Sequence, residues 1–94
     1  MEETESGITT YYNEDMVNIV ISKTIVSWNA NLNDWTLFTN DASLRPHMPV
    51  TSYDLNRYAF FVIPNNSNNI KVAKVNSSVG NNQDIYCNIC YKRR

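Results

Sequence analysis

The stretch MVNIVISKTIVSW, residues 16–28, decides the fold class, because its apolar residues fit both a helix and a strand. A helix would line them up at i, i+3 and i+4 spacing, with Asn13 as its N-cap. A strand would place one alternating set on a single face, namely Val17, Ile19, Ile21 and Ile25. Seven of the thirteen residues are Val, Ile or Thr, whose stiff side chains favour a strand. We therefore predict a strand, with a bulge or break near residues 22–23, since thirteen residues exceed the usual strand length.

Other apolar runs, separated by polar turns, predict further strands. These runs are residues 8–12, 35–39, 57–63, 70–75 and 85–92. Between them, Pro46 and Pro49 exclude a helix or a central strand from the loop at 40–50, and Ser52 is placed to cap a short helical turn over 52–56.

The last three runs predict a three-stranded antiparallel meander. We predict an all-β fold, a small antiparallel sandwich or barrel of five to seven strands, with an OB-like or SH3-like barrel or a jelly-roll fragment as its form. It forms one domain over residues 1–94, with a flexible acidic N-terminal arm at about residues 1–7.

Charge is sparse and unevenly distributed. Charged residues make up 18% of the chain, the net charge is −1, and about one residue in six is asparagine. Acidic residues crowd the first fifteen positions, whereas Lys92, Arg93 and Arg94 close the chain. These ends are either solvated tails or complementary partners within a chain or between subunits. We expect no nucleic-acid binding, because no basic groove is indicated outside the C-terminal tail.

Targeting signals are not apparent. The start MEETESGITT has neither a basic segment nor an apolar core, and no apolar run reaches membrane-spanning length. Two matches to the glycosylation pattern, at Asn65 and Asn76, are attributed to chance in a chain this rich in Asn and Ser. We expect no membrane contact and a cytoplasmic or virion-associated protein.

The C-terminal stretch IYCNICYKRR, residues 85–94, raises the question of metal or redox chemistry. On a strand, Cys87 and Cys90 point to opposite faces, so one ion or one disulfide does not easily take both. A structural zinc site needs four ligands, and His47 is the only other soft ligand in the chain. We predict free thiols, with no metal and no cofactor.

Catalysis has little support in this sequence. His47 is the only histidine, the two glycines lie far apart, and the carboxylates of Glu14 and Asp15 sit in an acidic stretch. A triad is recognised by geometry rather than by the presence of Ser, His and Asp. We therefore predict no catalytic residues and no enzyme.

Aromatic residues provide the candidate binding site. Trp28 and Trp35 bracket a polar turn, and with Tyr53, Tyr58 and neighbouring asparagines they are suited to stack on sugar rings and bond hydroxyls. The alternative is that both tryptophans are buried anchors of the core or of an interface.

Three functions follow. The first is a non-enzymatic structural or interaction module that binds a protein partner or self-associates, for example in a symmetric assembly such as a phage or viral particle. The second is a carbohydrate- or receptor-binding module. The third is a small inhibitor of another protein.

Overall fold

Eight strands form two four-stranded antiparallel sheets, so the predicted all-β fold is confirmed. The structure is a computed structural model and describes the backbone of residues 2–5 together with residues 7–26, 28, 36–76 and 78–93. The strands are β1 Glu2–Glu5, β2 Ile8–Tyr12, β3 Met16–Ile25, β4 Thr36–Thr39, β5 Val50–Tyr53, β6 Ala59–Ile63, β7 Asn69–Lys74 and β8 Gln83–Lys92. One 3₁₀ turn, Ala42–Leu44, lies between β4 and β5.

The first sheet has the order β1-β2-β3-β8. The strand predicted from residue 16 is confirmed as far as Ile25, and it pairs with β8 without interruption from Met16↔Lys92 to Ile25↔Gln83. The predicted bulge near residues 22–23 is wrong. Since β8 is as long as β3, every residue of β3 has a ladder partner and the strand has no reason to break.

The second sheet has the order β4-β7-β6-β5. Its meander consists of β5, β6 and β7, so the meander predicted from the last three apolar runs is wrong in its third strand. That strand, β8, crosses to the first sheet because its alternating apolar residues match the equally long β3. The chain leaves the second sheet after Lys74 and joins the first sheet at Gln83.

Two strands, β1 and β5, lie where the sequence predicted a flexible arm and a helical turn. Residues 2–5 were predicted as part of a flexible arm but pair with β2 as β1, through a turn in which Gly7 has φ +75°. The helical turn predicted over 52–56 is also wrong. Ser52 lies within β5, and the turn that follows is held by the carboxylate of Asp54 instead. These two strands raise the total above the predicted five to seven.

The sheets pack face to face around one core, as in a sandwich. Each strand that lines the core alternates buried and outward side chains, the pattern that a half-buried strand requires. Two buried polar groups find partners there: the Thr10 hydroxyl donates to Asn40 Oδ1 at 3.0 Å, and the Tyr91 hydroxyl donates to the Leu44 carbonyl at 2.5 Å. The large, fully buried side chains include Phe61, Ile8, Ile19, Ile21, Leu44, Ile63, Ile70 and Ile85.

Candidate functional site

Strand β8 turns one uncharged row of side chains to solvent between two charged ends. Its inward residues are buried, and its outward residues are exposed. Residues two apart on a strand share a face, so the outward row has a single continuous order. That order is Asp84, Tyr86, Asn88, Cys90 and Lys92.

Strand β3 adds a parallel row beside it. Each outward residue of β3 lies opposite one of β8, with Thr24 beside Asp84, Val20 beside Asn88 and, at the far end, Met16 beside Lys92. We call the outward side chains of β3 and β8 the outer face. Among them, Asp84 and Lys92 alone carry charge. The complete β3 row is Met16, Asn18, Val20, Ser22 and Thr24.

A groove of about 390 Å³ opens beside the outer face, where the end of β5 approaches β8. Three large side chains surround it, and all are well exposed: Tyr53 by 47%, Leu55 by 78% and Tyr86 by 47%. None of the described residues that line this groove is charged. The remaining lining residues are Val20, Ile21, Ser22, Cys87 and Asn88.

Backbone contacts hold the two walls of the groove together. The Leu55 amide donates to the Tyr86 carbonyl at 2.7 Å, which joins the sheets at this corner. Deeper in the groove, the Cys87 thiol lies 3.4 Å from the Tyr53 carbonyl and 3.6 Å from the Ser52 hydroxyl. The groove is therefore a formed feature of the corner between the sheets.

The turn after β5 positions Tyr53 and Leu55. It is organised by Asp54, whose buried carboxylate accepts hydrogen bonds from the amides of Asn56, Tyr58 and Ala59. The Tyr53 ring packs on Phe60 with 5.0 Å between ring centroids. The Arg57 guanidinium lies 5.3 Å from the Tyr53 ring centre, so one cation stands at the rim of the uncharged groove.

The two cysteines behave as the strand alternation predicts. Both are free, with Cys87 buried at the base of the groove and Cys90 exposed on the outer face. Burial raises the pKa of the Cys87 thiol above its ordinary value, although the hydrogen bond with Ser52 acts in the opposite direction. Because the thiolate is the reactive form, Cys87 is a poor nucleophile at neutral pH.

His47 lies in a second, smaller cavity of about 250 Å³ in the loop before β5. That cavity is lined by Pro46, His47, Met48, Pro49, Val50, Tyr91 and Lys92. Neither a carboxylate nor a thiol is among these lining residues, so the geometry places no acid or sulfur nucleophile next to the imidazole there. Elsewhere in the described part of the chain, no group of three or more His, Cys, Asp and Glu side chains is arranged to hold a metal ion.

The structure describes Trp28, Tyr53 and Tyr58 of the predicted aromatic site. Trp28 and Tyr58 are half-buried and pack against the core, and the indole N–H of Trp28 donates to the Gly80 carbonyl at 2.8 Å. Neither lines the groove. Trp35 lies outside the described residues, so the sugar-binding role of this set stays a prediction.

Leu55 and Tyr86 were not predicted as site residues, whereas Tyr53 was predicted as part of the tryptophan site and lines the groove instead. Strand alternation alone places Tyr86 on the outward face, so its exposure could have been predicted from the sequence. The stretch that holds Tyr53 and Leu55 was assigned to a helical turn, so Leu55 was not considered and Tyr53 was not placed beside β8. Their approach to β8 depends on a crossing between sheets that no local pattern reveals.

No protein-family model matches this chain, and no curated protein and no solved structure is significantly similar to it. The residues that the structure describes include no helix of the length and hydrophobicity needed to span a membrane.

Proposed function

We propose that this chain is a non-enzymatic protein-interaction module that binds its partner through the outer face and the groove. One observation carries the proposal: Tyr53, Leu55 and Tyr86 stand exposed around an uncharged groove. Exposed apolar groups that are contiguous mark interaction sites on soluble proteins.

The composition of this surface supports a protein partner. Interface centres are rich in aromatic residues and poor in charge, and charged groups are confined to their rims. The outer face follows that plan, with Asp84 and Lys92 at its two ends and Tyr86 between them. Such a module can take two forms. One is a subunit of a symmetric assembly, such as a phage or viral particle, and the other is an inhibitor of another protein.

The groove gives little support to an enzyme. Cys87 is its only thiol, and burial raises the pKa of that thiol. The hydroxyl group of Ser22 also lines the groove, and the described lining residues include no histidine or carboxylate to activate it.

A carbohydrate is the second candidate ligand, and a specific observation favours it. The rings of Tyr53 and Tyr86 share the groove with the polar side chains of Ser22 and Asn88. Aromatic faces with nearby amides and hydroxyls are the groups that stack on sugar rings and bond their hydroxyls. This site differs from the tryptophan site expected from the sequence.

Site-specific photo-crosslinking in the cells that express the protein tests the proposal. We expect a photoreactive phenylalanine analogue at Leu55 to form a covalent adduct with a protein. The same analogue at Met48, which is similarly exposed at 68% but lies outside the groove, is the matched control. No adduct from Leu55, or equal adducts from both positions, would contradict a protein-binding role for the groove. Binding on a glycan array that is lost in Tyr53→Ala and Tyr86→Ala would favour the second candidate.

A further inference from the structure

The outward row of β8 has a charge pattern that complements itself when reversed. It begins with the carboxylate of Asp84, ends with the ammonium of Lys92, and has three uncharged side chains between them. The two charges stand about 26 Å apart, because a strand rises about 3.3 Å per residue. Asn88 lies at the midpoint of the row.

From this pattern we infer that the partner of the outer face is a second copy of this chain, packed face to face with its β8 running in the opposite direction. The inference rests on the proposed function and names the partner. A twofold axis through Asn88 and across the strands places Asp84 opposite Lys92 of the second copy. It does so twice, because the contact in a twofold interface is reciprocal.

The sizes of the side chains that face each other also favour the reversed alignment. The same axis places Tyr86 opposite Cys90 of the second copy, so that a large side chain meets a small one. On β3 it places Met16 opposite Thr24 of the second copy and Val20 opposite its own counterpart. No like charges meet within the two rows.

The other twofold arrangements are disfavoured by charge. An axis between β3 and β8 along the strands would set Asp84 opposite Thr24 and Lys92 opposite Met16 of the second copy, so neither charge would face an opposite charge. An axis along β8 itself would set Asp84 against Asp84 of the second copy and Lys92 against its counterpart. Like charges in direct contact suppress an association. Glu14 and Asp15 lie in the turn beyond Met16 and are not part of the two rows, so Asp84 and Lys92 decide the direction.

Charge reversal tests the pairing. The dissociation constant of the dimer is measured by sedimentation over a dilution series. The series extends to a protein concentration of about 1 mM, so that weak association is also detected. The salt concentration is about 0.05 M so that exposed charges are little screened. We expect Asp84→Lys and Lys92→Asp each to weaken self-association about tenfold, because each creates two like-charge contacts. The double variant restores both pairs and returns the constant close to that of the wild-type protein.

Asn65→Lys and Asn65→Asp, in the turn between β6 and β7, are the controls for a change in net charge. Thermal unfolding of each variant verifies that the fold persists. The inference is overturned by a wild-type protein that stays monomeric, by single reversals that leave self-association unchanged, or by a double variant that is not rescued. An adduct from Leu55 to a different protein would uphold the proposed function while refuting self-association through this face.

Discussion

The carboxylate of Asp54 accepts a hydrogen bond from the backbone amide of Ala59 at 2.8 Å, across the turn that joins β5 to β6. The same oxygen accepts a second bond from the Tyr58 amide, and the other oxygen accepts one from Asn56. Asp54 is only 3% exposed. One buried side chain therefore organises the turn that carries the exposed Leu55 and holds one wall of the groove.

Asp54→Ala is expected to lower the free energy of unfolding by about 3 kcal/mol, because it leaves buried amides without their charged acceptor. Urea denaturation measures the loss. Asp41→Ala is the matched control: that carboxylate is exposed and accepts hydrogen bonds only from Ser43 among the described residues, from its amide at 2.9 Å and from its side chain. The control should cost about 1 kcal/mol or less. Equal losses in the two variants would show that the Asp54 network does not hold the turn.

Stability is expected to fall at alkaline pH because of Tyr91. Burial raises the pKa of its phenol from 10.0 to about 12. The unfolded chain therefore loses this proton more readily than the folded one. The contribution of Tyr91 is complete below pH 10.0 and is lost as the pH rises through about 12.

Urea denaturation between about pH 9 and pH 11.5 measures this effect. Tyr91→Phe removes the titrating group, so its free energy of unfolding should decline less steeply over the same interval. It should also start lower than the wild-type value by about 1 kcal/mol, because the bond to the Leu44 carbonyl is lost. Parallel pH profiles for the two proteins would rule out a contribution from Tyr91.

Gly7 is required by the turn between β1 and β2. Its φ of +75° lies in the left-handed region, and a Cβ there would stand 2.7 Å from the Ser22 carbonyl oxygen. Gly7→Ala is expected to destabilise the protein by about 2 kcal/mol. Gly80→Ala is the control, since a Cβ at Gly80 meets no atom within 4 Å. A melting temperature for Gly7→Ala no lower than that of Gly80→Ala would contradict the described turn.

Local sequence pattern was sufficient to predict strand bounds and side-chain faces where a strand is half-buried. The bounds of β2 were predicted as found, and the alternation through residues 85–92 correctly separated the faces of Cys87 and Cys90. In both cases period-two burial is a local property that the residues themselves display.

The pairing between strands that are distant in sequence could not be predicted from local sequence pattern. The partner of β8 is β3 rather than β7, which depends on matched length and on the core that both sheets share. The groove was missed for the same reason, because it exists only where β5 meets β8. Strand β1 was missed because three of its four residues are glutamates, and its pairing with β2 overrides their low strand propensity.

The reactivity of Cys90 reports whether a second copy covers the outer face, since this thiol lies in that face and the buried Cys87 provides an internal reference. The measurement is the rate of alkylation at each cysteine by iodoacetamide, followed by mass spectrometry as the protein concentration rises. We expect Cys90 to react rapidly in dilute protein and progressively more slowly as a second copy covers it, whereas Cys87 should react slowly throughout. In Asp84→Lys, Cys90 should remain rapidly alkylated to higher concentration. If the alkylation rate of Cys90 in the wild-type protein does not change with protein concentration, self-association through the outer face is contradicted.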